Sequence, residues 1–505
     1  MNPRLVALSI SLALAGVASA AAAQSLPLRA GGSVVTAQTV GGGIEYRAAP
    51  RVSLLAPNPR RVRAPAGGAC GVTPVAWQGQ TLPDGAAGTL DPVAFFNSAT
   101  INNAGTIAFV ANVVGADRNQ GVFTADAVGL HIIMLGCGDG GGSGVPGTCG
   151  DPTPIGGTFG GIFQGTLGTP AINDNGDVLF LADVANGDSP RGLFLYQAAT
   201  GEIVKIVAEG DASPLGGTLT TLGMGSLNAA GTVAFLANTD SAQTSDIFLW
   251  QDGVVSKYVA AGDPVPGGGT FTMLGTELWG FADGSFLAGG PVPSINEAGD
   301  IAFRGIVSGV ADTDRGIFLS HAGTHEWLLR GGADAPGGGT FVDFQAPSLN
   351  ANGEVAFFAD STATSAWYAG DGTNWRRVVA FNDVVEGANV DGLAFSRNPM
   401  STIADNGDVV VWVSRLVEGN DRGTTMVVHP DSSVTLLAVQ GDDTGFGGIW
   451  GGSMDAWPSI NDVGQARMGS ATPGFGDALT ADVVFTLCSE EVPIFADGFD
   501  GPPTD

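Results

Sequence analysis

The stretch INNAGTIAF, from Ile101 to Phe109, decides the fold, because copies of it recur along most of the chain. The copies are INDNGDVLF at Ile172, LNAAGTVAF at Leu227, INEAGDIAF at Ile295, LNANGEVAF at Leu349, IADNGDVVV at Ile403 and INDVGQARM at Ile460. Successive copies start 71, 55, 68, 54, 54 and 57 residues apart. Seven copies at this spacing indicate a repeat architecture in which each unit packs on its neighbours.

Each unit contains further segments that are typical of short strands. A Gly/Pro loop with a Thr-Phe pair precedes several copies, as in GDPVPGGGTF from Gly262. An aromatic segment such as DIFLW from Asp246 follows, and then a β-branched one such as VVSKYVAAGD from Val254. Asn-x-x-Gly joins the first two segments, since Asn and Gly tolerate the positive φ of a tight turn. Each unit therefore predicts four strands.

Four strands per unit and seven units predict an all-β fold, a seven-bladed β-propeller. The rungs of a parallel β-helix are much shorter than these units. Tandem sandwich domains need about 100 residues each, and an open array of small sheets would leave exposed edges.

The last blade is predicted to be completed by the N-terminal strand. The seventh unit ends after its third strand, DVVFTL (Asp482–Leu487). GVTPVAWQGQTLPDG from Gly71 matches a fourth strand and its loop, but no third strand precedes it. Pairing these two segments would close the ring.

The cysteines support this closure. Aligning Phe485 with Phe248 places Cys70 and Cys488 where a hairpin turn joins the third and fourth strands of another unit. A disulfide between them would replace that missing link.

Cys137 and Cys149 then form the second pair, on either side of a Gly-rich insertion. Four free thiols are the alternative, but an exported chain meets an oxidising environment.

The chain ends differ from the repeats. Residues 1–23 have Arg4, an apolar run and small residues, the pattern of a secretory signal peptide, and the run is too short for a membrane span. Residues 24–69 are predicted to be a flexible basic leader rich in Pro, Gly and Ala, residues 70–490 the propeller, and residues 491–505 a C-terminal tail. Cleavage after Ala20 and after Ala23 both fit.

The charge distribution excludes several partners. The 505 residues carry a formal charge of −29. Arg4 contributes +1 and residues 24–69 contribute +5, so residues 70–505 carry −35. Such a chain repels nucleic acid and anionic membrane surfaces. We expect a secreted or periplasmic monomer without a membrane span.

The repeats also show a family resemblance. Units such as Asn102-Gly105-Ala108-Phe109 resemble the secreted bacterial NxxGxxAF tandem-repeat proteins over roughly residues 75–488. Ala404 and Arg467-Met468 depart from the pattern. The resemblance implies no catalytic activity. The ending PIFADGFDG, from Pro493, resembles a short C-terminal segment of exported proteobacterial proteins.

Familiar catalytic and cofactor motifs do not fit. The chain has no G-x-S-x-G elbow, and its Gly-rich loops lack the Lys-Ser/Thr pair of a phosphate-binding loop. Asp-Asn-Gly-Asp runs lack the length and final Glu of an EF-hand. The histidines are His131, His321, His325 and His429. His321 and His325 lie four apart in a predicted hairpin and are interpreted as polar turn residues, since zinc needs three or four N or S ligands.

One set of acidic residues is a candidate site. An Asp recurs just before each of five blade-to-blade crossings, which open on one face of a propeller. A ring of these carboxylates could bind a cation such as Ca²⁺ or a cationic ligand, and the alternative is that each Asp caps its own turn. The five are Asp151, Asp211, Asp263, Asp383 and Asp442.

Three function classes remain open. A secreted binding or scaffold module would act through loops on one face, with a glycan, a peptide or a cation as its ligand. An extracellular carbohydrate lyase or hydrolase is the enzymatic alternative, because propellers host many chemistries. An envelope structural component is the third class, and it predicts self-association.

Overall fold

The fold was described in a computed structural model of the chain. It describes residues 28–30, 33–40, 43–48, 69–91, 99–138, 149–161, 169–240, 242–274, 279–280, 286–287, 292–310, 313–393, 402–451, 458–475 and 478–488. These residues form strands and turns, with no helix among them.

Seven antiparallel sheets follow one another along the chain as the blades of a propeller, which confirms the predicted fold. We label the strands of each blade A to D in sheet order. Strand A is split in several blades, and neighbouring A strands contact one another around the central channel.

The strands of blades 1 to 3 have the following bounds. Blade 1 contains Thr89–Leu90 and Thr100–Ile101 (A), Ile107–Val114, Gln120–Ala125 and Leu130–Gly136. Blade 2 contains Thr158–Phe159 and Ala171–Ile172 (A), Val178–Ala185, Arg191–Gln197 and Glu202–Ala208. Blade 3 contains Leu219–Leu227, Val233–Thr239, Ala242–Gln251 and Val254–Val259.

Blades 4 to 7 repeat this plan. Blade 4 contains Thr270–Leu274 and Ser294–Ile295 (A), Ile301–Ser308, Arg315–His321 and Thr324–Arg330, and the insertion in its A strand carries a small hairpin, Trp279–Gly280 and Phe286–Leu287. Blade 5 contains Phe341–Phe344 and Ser348–Leu349 (A), Val355–Ser361, Ser365–Gly370 and Trp375–Ala380. Blade 6 contains Val384–Val385, which pairs with its A strand Ala388–Leu393, then Val409–Val417, Asn420–Val428 and Val434–Val439. Blade 7 contains Ser459–Ile460, Gln465–Phe475, Ala478–Leu487 and, as strand D, Ala69–Trp77.

This antiparallel order gives the propeller two distinct ends. The A–B and C–D turns lie at one end, which we call the turn face. The B–C turns and the blade-to-blade crossings lie at the other end, which we call the crossing face. Every Asn-x-x-Gly motif is an A–B turn and therefore lies on the turn face.

The N-terminal strand completes blade 7, as predicted. Ala69–Trp77 pairs with Ala478–Leu487, and the Cys70–Cys488 disulfide joins their ends, with the two Cα atoms 4.9 Å apart. The second disulfide is also the predicted one, Cys137–Cys149.

The alignment behind this prediction was two residues out of register. Val483, not Phe485, opposes Met468 as Phe248 opposes Phe235. The cysteines still meet, because the strand pair extends past the position of the missing turn: Leu487 opposes Ala69.

The core lies between blades. Seven clusters of buried apolar residues each join two successive blades, and the cluster with Phe109 and Val484 joins blade 1 to blade 7. The repeated aromatic of strand B is at most 2% exposed in blades 1 to 5. It opposes an aromatic on strand C, with ring centroids 5.4 to 6.0 Å apart. Such pairs add to the area that burial removes from water.

Residues 1–56 form a separate unit. Leu28–Ala30, Ser33–Val40 and Gly43–Ala48 make a small antiparallel meander within the predicted leader. The sequence analysis found no two-residue period there, although SVVTAQTV is rich in β-branched residues, which favour strands. The signal peptide and the tail lie outside the described residues, and the flexibility of the leader stays a prediction.

Candidate functional site

The crossing face holds the five predicted aspartates, each at the turn that follows strand D. In blades 2, 3 and 5 one carboxylate oxygen accepts the backbone N–H three residues earlier, at 2.7 to 2.8 Å. Asp151 accepts the N–H of Leu135 at 2.8 Å, across the insertion of blade 1. This is turn capping, the alternative that the sequence analysis left open.

A cation of the same blade also pairs with each of these aspartates. The ion pairs are Arg118–Asp151, Lys205–Asp211, Lys257–Asp263, Arg377–Asp383 and Arg422–Asp442, with N to O distances of 2.5 to 3.5 Å. The five aspartates therefore have local partners. Among the described residues, no group of three or more His, Cys, Asp or Glu is placed to hold a metal ion. The cation ring stays a prediction.

The two blades without this Asp show what the position does. In blade 7 the equivalent residue is Gln80, whose amide oxygen accepts the N–H of Trp77 at 3.2 Å. In blade 4 it is Ala333, and the Lys position of blades 2 and 3 is taken by Trp327. An amide can therefore take over the turn-capping role, and Asp and cation are lost together.

The turn face is built on hydrogen bonds between blades. The side-chain amide of each repeated Asn donates to the backbone carbonyl of the equivalent residue in the next blade, at 2.8 to 3.2 Å. Its amide oxygen accepts the N–H four residues on, in its own turn. We call this set the Asn ring: Asn102, Asn173, Asn228, Asn296, Asn350 and Asn461. Ala404 interrupts it in blade 6.

The residue after each repeated Asn forms a second ring, closer to solvent. Four blades have a carboxylate there, which accepts a backbone N–H from the preceding blade at 2.8 to 3.0 Å. We call these four the acidic mouth: Asp174, Glu297, Asp405 and Asp462. Within the described residues, none of these four carboxylates forms an ion pair with Lys or Arg.

The four carboxylates influence one another electrostatically. Partial burial raises the pKa of Glu297, and the charges of Asp174, Asp405 and Asp462 raise it further. Burial likewise raises the pKa of Asp462, with Asp405 and Asp174 adding to the effect. Because these residues come from blades 2, 4, 6 and 7, they place negative charge around the channel from several directions. The mouth can attract cations and donors of charged hydrogen bonds.

The acidic mouth is a second set of carboxylates, which the sequence analysis did not single out. Its signal was present: the second position of the seven repeats reads Asn, and the third position reads Asn, Asp, Ala, Glu, Ala, Asp and Asp along the chain, with Ala404 in place of Asn in the sixth repeat. The acidic residues at this position were interpreted as part of the turn motif, because Asp and Asn are common turn residues.

His321 and His325 lie on either side of the C–D turn of blade 4, within the hairpin that the sequence predicts. His131 lies in strand D of blade 1, and His429 lies in the C–D turn of blade 6. His321 Nδ1 lies 2.6 Å from Asp300 Oδ1, and His325 Nδ1 lies 2.8 Å from Ser320 Oγ. His429 is bonded through both ring nitrogens. Burial lowers the pKa of His325.

Comparisons with known proteins leave the activity open. No curated protein matches the sequence. Among solved structures, TolB from Acinetobacter baumannii is similar at 14% identity and a TM-score of 0.31, over 61% of this chain and 62% of that one. A Mycobacterium tuberculosis puromycin-hydrolyzing peptidase is similar at 10% identity and a TM-score of 0.42, over 80% and 55%. An oligogalacturonate lyase from Vibrio parahaemolyticus is similar at 13% identity and a TM-score of 0.36, over 73% and 100%.

The chain thus spans 62% and 55% of the lengths of the first two proteins. Likeness at this level carries no argument about activity. In sequence, one family model matches residues 63–266 and 141–484, which together cover all seven blades. The chain belongs to this family, whose description is a family of unknown function (DUF7453).

Proposed function

We propose that the protein is an exported binding module that takes up cationic ligands at the acidic mouth of its turn face. The observation that carries the proposal is the set of four carboxylates, from four blades, without Lys or Arg partners among the described residues. The five aspartates of the crossing face, in contrast, are each paired with a Lys or Arg.

The class of ligand follows from the negative charge of the mouth and from its carboxylate oxygens, which accept hydrogen bonds. Burial raises the pKa of Glu297 and Asp462, and the repulsion between the carboxylates adds to that effect. An ammonium or guanidinium group, or a divalent cation, would relieve this repulsion. Charge-assisted hydrogen bonds to carboxylates are stronger than neutral ones. The net charge of −29 adds long-range attraction for cations.

Two disulfides support export to an oxidising compartment. Within the part of the chain that the structure describes, no helix has the length and apolar character to cross a bilayer.

The test is titration with spermidine and, separately, with Ca²⁺, followed by calorimetry at low and at physiological salt. We expect binding that weakens as salt rises. The variant Asp174→Asn/Glu297→Gln should lose at least about tenfold in affinity, because two charges leave the mouth while amide oxygens still accept the N–H bonds. The matched control, Asp211→Asn/Asp263→Asn, removes two charges from the crossing face and should bind like the wild type.

The pH dependence has a defined sign. Because the pKa of Glu297 and of Asp462 is raised, these groups take up protons at a higher pH than ordinary carboxyls do, and a cation competes with those protons. Affinity should therefore fall as the pH is lowered from neutral. Equal affinity of the wild type and the mouth variant, or no binding of either probe, would refute the proposal.

A further inference from the structure

Blade 6 contains a hydrogen-bonded chain of a carboxylate, an imidazole and a hydroxyl. Asp408 Oδ1 lies 2.7 Å from His429 Nδ1, and His429 Nε2 lies 2.9 Å from Thr435 Oγ1. The imidazole thus bridges an acid on one nitrogen and an alcohol on the other. This is the arrangement that activates a hydroxyl for attack on an acyl carbon.

The fold holds each member in place. Asp408 ends the A–B turn of blade 6, and its other oxygen accepts from Asn406 at 2.9 Å. His429 begins the C–D turn, and Thr435 lies in strand D opposite Val427. The side chain of Asp408 is 7% exposed and that of His429 is 27% exposed, so the acid is buried while the imidazole reaches solvent.

The other blades show that the repeat does not require this chain. In blade 4 the equivalent acid and imidazole, Asp300 and His321, also bond, at 2.6 Å. The position that matches Thr435 there is Glu326, because Leu319 opposes Glu326 as Val427 opposes Thr435. Among the seven blades, only blade 6 has acid, His and hydroxyl at these three described positions.

The tautomer follows from the partners. A carboxylate accepts a hydrogen bond, so His429 carries its proton on Nδ1 and leaves Nε2 as the acceptor of the Thr435 hydroxyl. The imidazole can then take the hydroxyl proton as attack begins, while Asp408 stabilises the resulting cation.

We propose that Thr435 is a nucleophile toward short acyl esters, with His429 as its base and Asp408 as the residue that orients and stabilises that base. Thr435 Oγ1 bonds to the acyl carbon as the ester C–O bond breaks, and its proton passes through His429 Nε2 to the departing alkoxide. Water then attacks the acyl-threonine and gives its proton to His429. The carboxylic acid leaves as that proton returns to Thr435 Oγ1, so ester and water become acid and alcohol.

Charged groups surround the imidazole of His429, and burial of Thr435 limits the size of the substrate. Arg376 of blade 5 donates to the backbone carbonyls of His429, at 3.4 Å, and of Gly407. Asp431 acts on His429 from its own turn, and the charges of Glu354 and Asp408 act on Arg376. Thr435 is 8% exposed, so only a small acyl group can reach its hydroxyl. An acetyl ester with a good leaving group is therefore the probe, because acetyl is among the smallest acyl groups.

The test is incubation of the whole chain with p-nitrophenyl acetate, read by nitrophenolate release and by peptide mass spectrometry. We expect one acetyl group on Thr435. His429→Asn should slow its formation by at least about a hundredfold, the usual contribution of a general base. Thr435→Val keeps the shape of the side chain and should abolish that adduct, while Thr435→Ser should restore it.

The control is blade 4. His321→Asn removes the equivalent imidazole where no hydroxyl follows, and it should leave acetylation unchanged. Thermal unfolding of every variant separates loss of chemistry from loss of fold. Acetyl groups found only on lysines or the amino terminus, or an equal rate in Thr435→Val, would overturn the proposal. The Thr435 site shares no residue with the acidic mouth, so an experiment that refutes one proposal leaves the other standing.

Discussion

The two faces of the propeller use polar side chains in opposite ways. On the crossing face, each Asp bonds a turn and a cation of its own blade, as Asp211 does with Ala208 and Lys205. On the turn face, the amide of Asn228 bonds blade 4, and the carboxylate of Glu297 bonds blade 3 in return. The crossing face therefore stabilises blades one at a time, and the turn face joins them.

This difference explains where the repeat tolerates change. Ala333 and Trp327 replace both partners of the crossing-face pair in blade 4, and only that blade is affected. The repeated Asn, in contrast, serves two blades and is present in six of the seven units. A residue that satisfies buried groups in two blades at once is expensive to replace.

The apolar core between the two faces should contribute more to the free energy of unfolding, per residue, than the polar contacts of either face. Phe235→Ala should lower the free energy of unfolding by about 3–5 kcal/mol, because the buried ring is lost and a cavity remains. Urea unfolding measures this loss, and Phe235→Leu should cost much less because it keeps most of the volume. A loss below roughly 1 kcal/mol for the alanine variant would mean that the repeat register is wrong.

Removing one amide of the Asn ring should have the next largest effect. Asn228→Ala removes a buried amide that donates to the carbonyl of Asn296 in the next blade and accepts the N–H of Thr232 in its own turn, so we expect a loss of about 2–3 kcal/mol from the two hydrogen bonds. Asn175→Ala is the matched control. Its amide also bonds the next blade, at 2.7 Å, but it is exposed. If Asn228→Ala and Asn175→Ala lower the free energy of unfolding equally, burial of the Asn ring adds nothing to the stability of the turn face.

Completing the Asn ring should give a smaller gain. Ala404→Asn supplies blade 6 with the amide that other blades use to bond the next blade, and one added buried hydrogen bond contributes about 1 kcal/mol. The space exists in the repeat geometry, since an Asn occupies this position in six blades. A lower unfolding midpoint for Ala404→Asn would show that blade 6 has closed around the smaller side chain.

Most of the architecture was predictable, because periodicity reports on packing. The spacing of the Asn-x-x-Gly units gave seven blades, and the unmatched strands after Asp482 and before Gln78 gave the closure. The two-residue error in aligning Phe485 arose because blade 7 has Met468 and Val483 where blades 1 to 5 pair aromatics. Without an aromatic at this position, no residue fixed the alignment register of strand C of blade 7.

The sites were less predictable, because they depend on where side chains from different blades meet. A Gly-Asp repeat at a crossing and an acidic residue after the repeated Asn look equally promising in sequence. Only the structure shows that Asp263 meets Lys257 at 2.6 Å, while Glu297 meets the backbone of blade 3 and no cation of its own blade. The hydrogen-bonded chain of Asp408, His429 and Thr435 was not predicted from the sequence. Strands B and C of blade 6 separate Asp408 from His429, and the C–D turn separates His429 from Thr435.

The crossing-face aspartates should show the smallest effect. Asp211 and Asp263 keep a turn-capping oxygen when changed to Asn, so Asp211→Asn/Asp263→Asn loses only two partly exposed ion pairs, each about 0–1 kcal/mol. The cation-ring hypothesis adds a second expectation: Ca²⁺ should raise the unfolding midpoint of the wild type but not of this variant. If the five aspartates only pair locally, the wild type should have equal unfolding midpoints with Ca²⁺ and with a chelator, unless the acidic mouth binds the ion. A Ca²⁺ shift that survives Asp211→Asn/Asp263→Asn and is lost in Asp174→Asn/Glu297→Gln would therefore assign the cation to the turn face and leave the five aspartates as turn-forming residues.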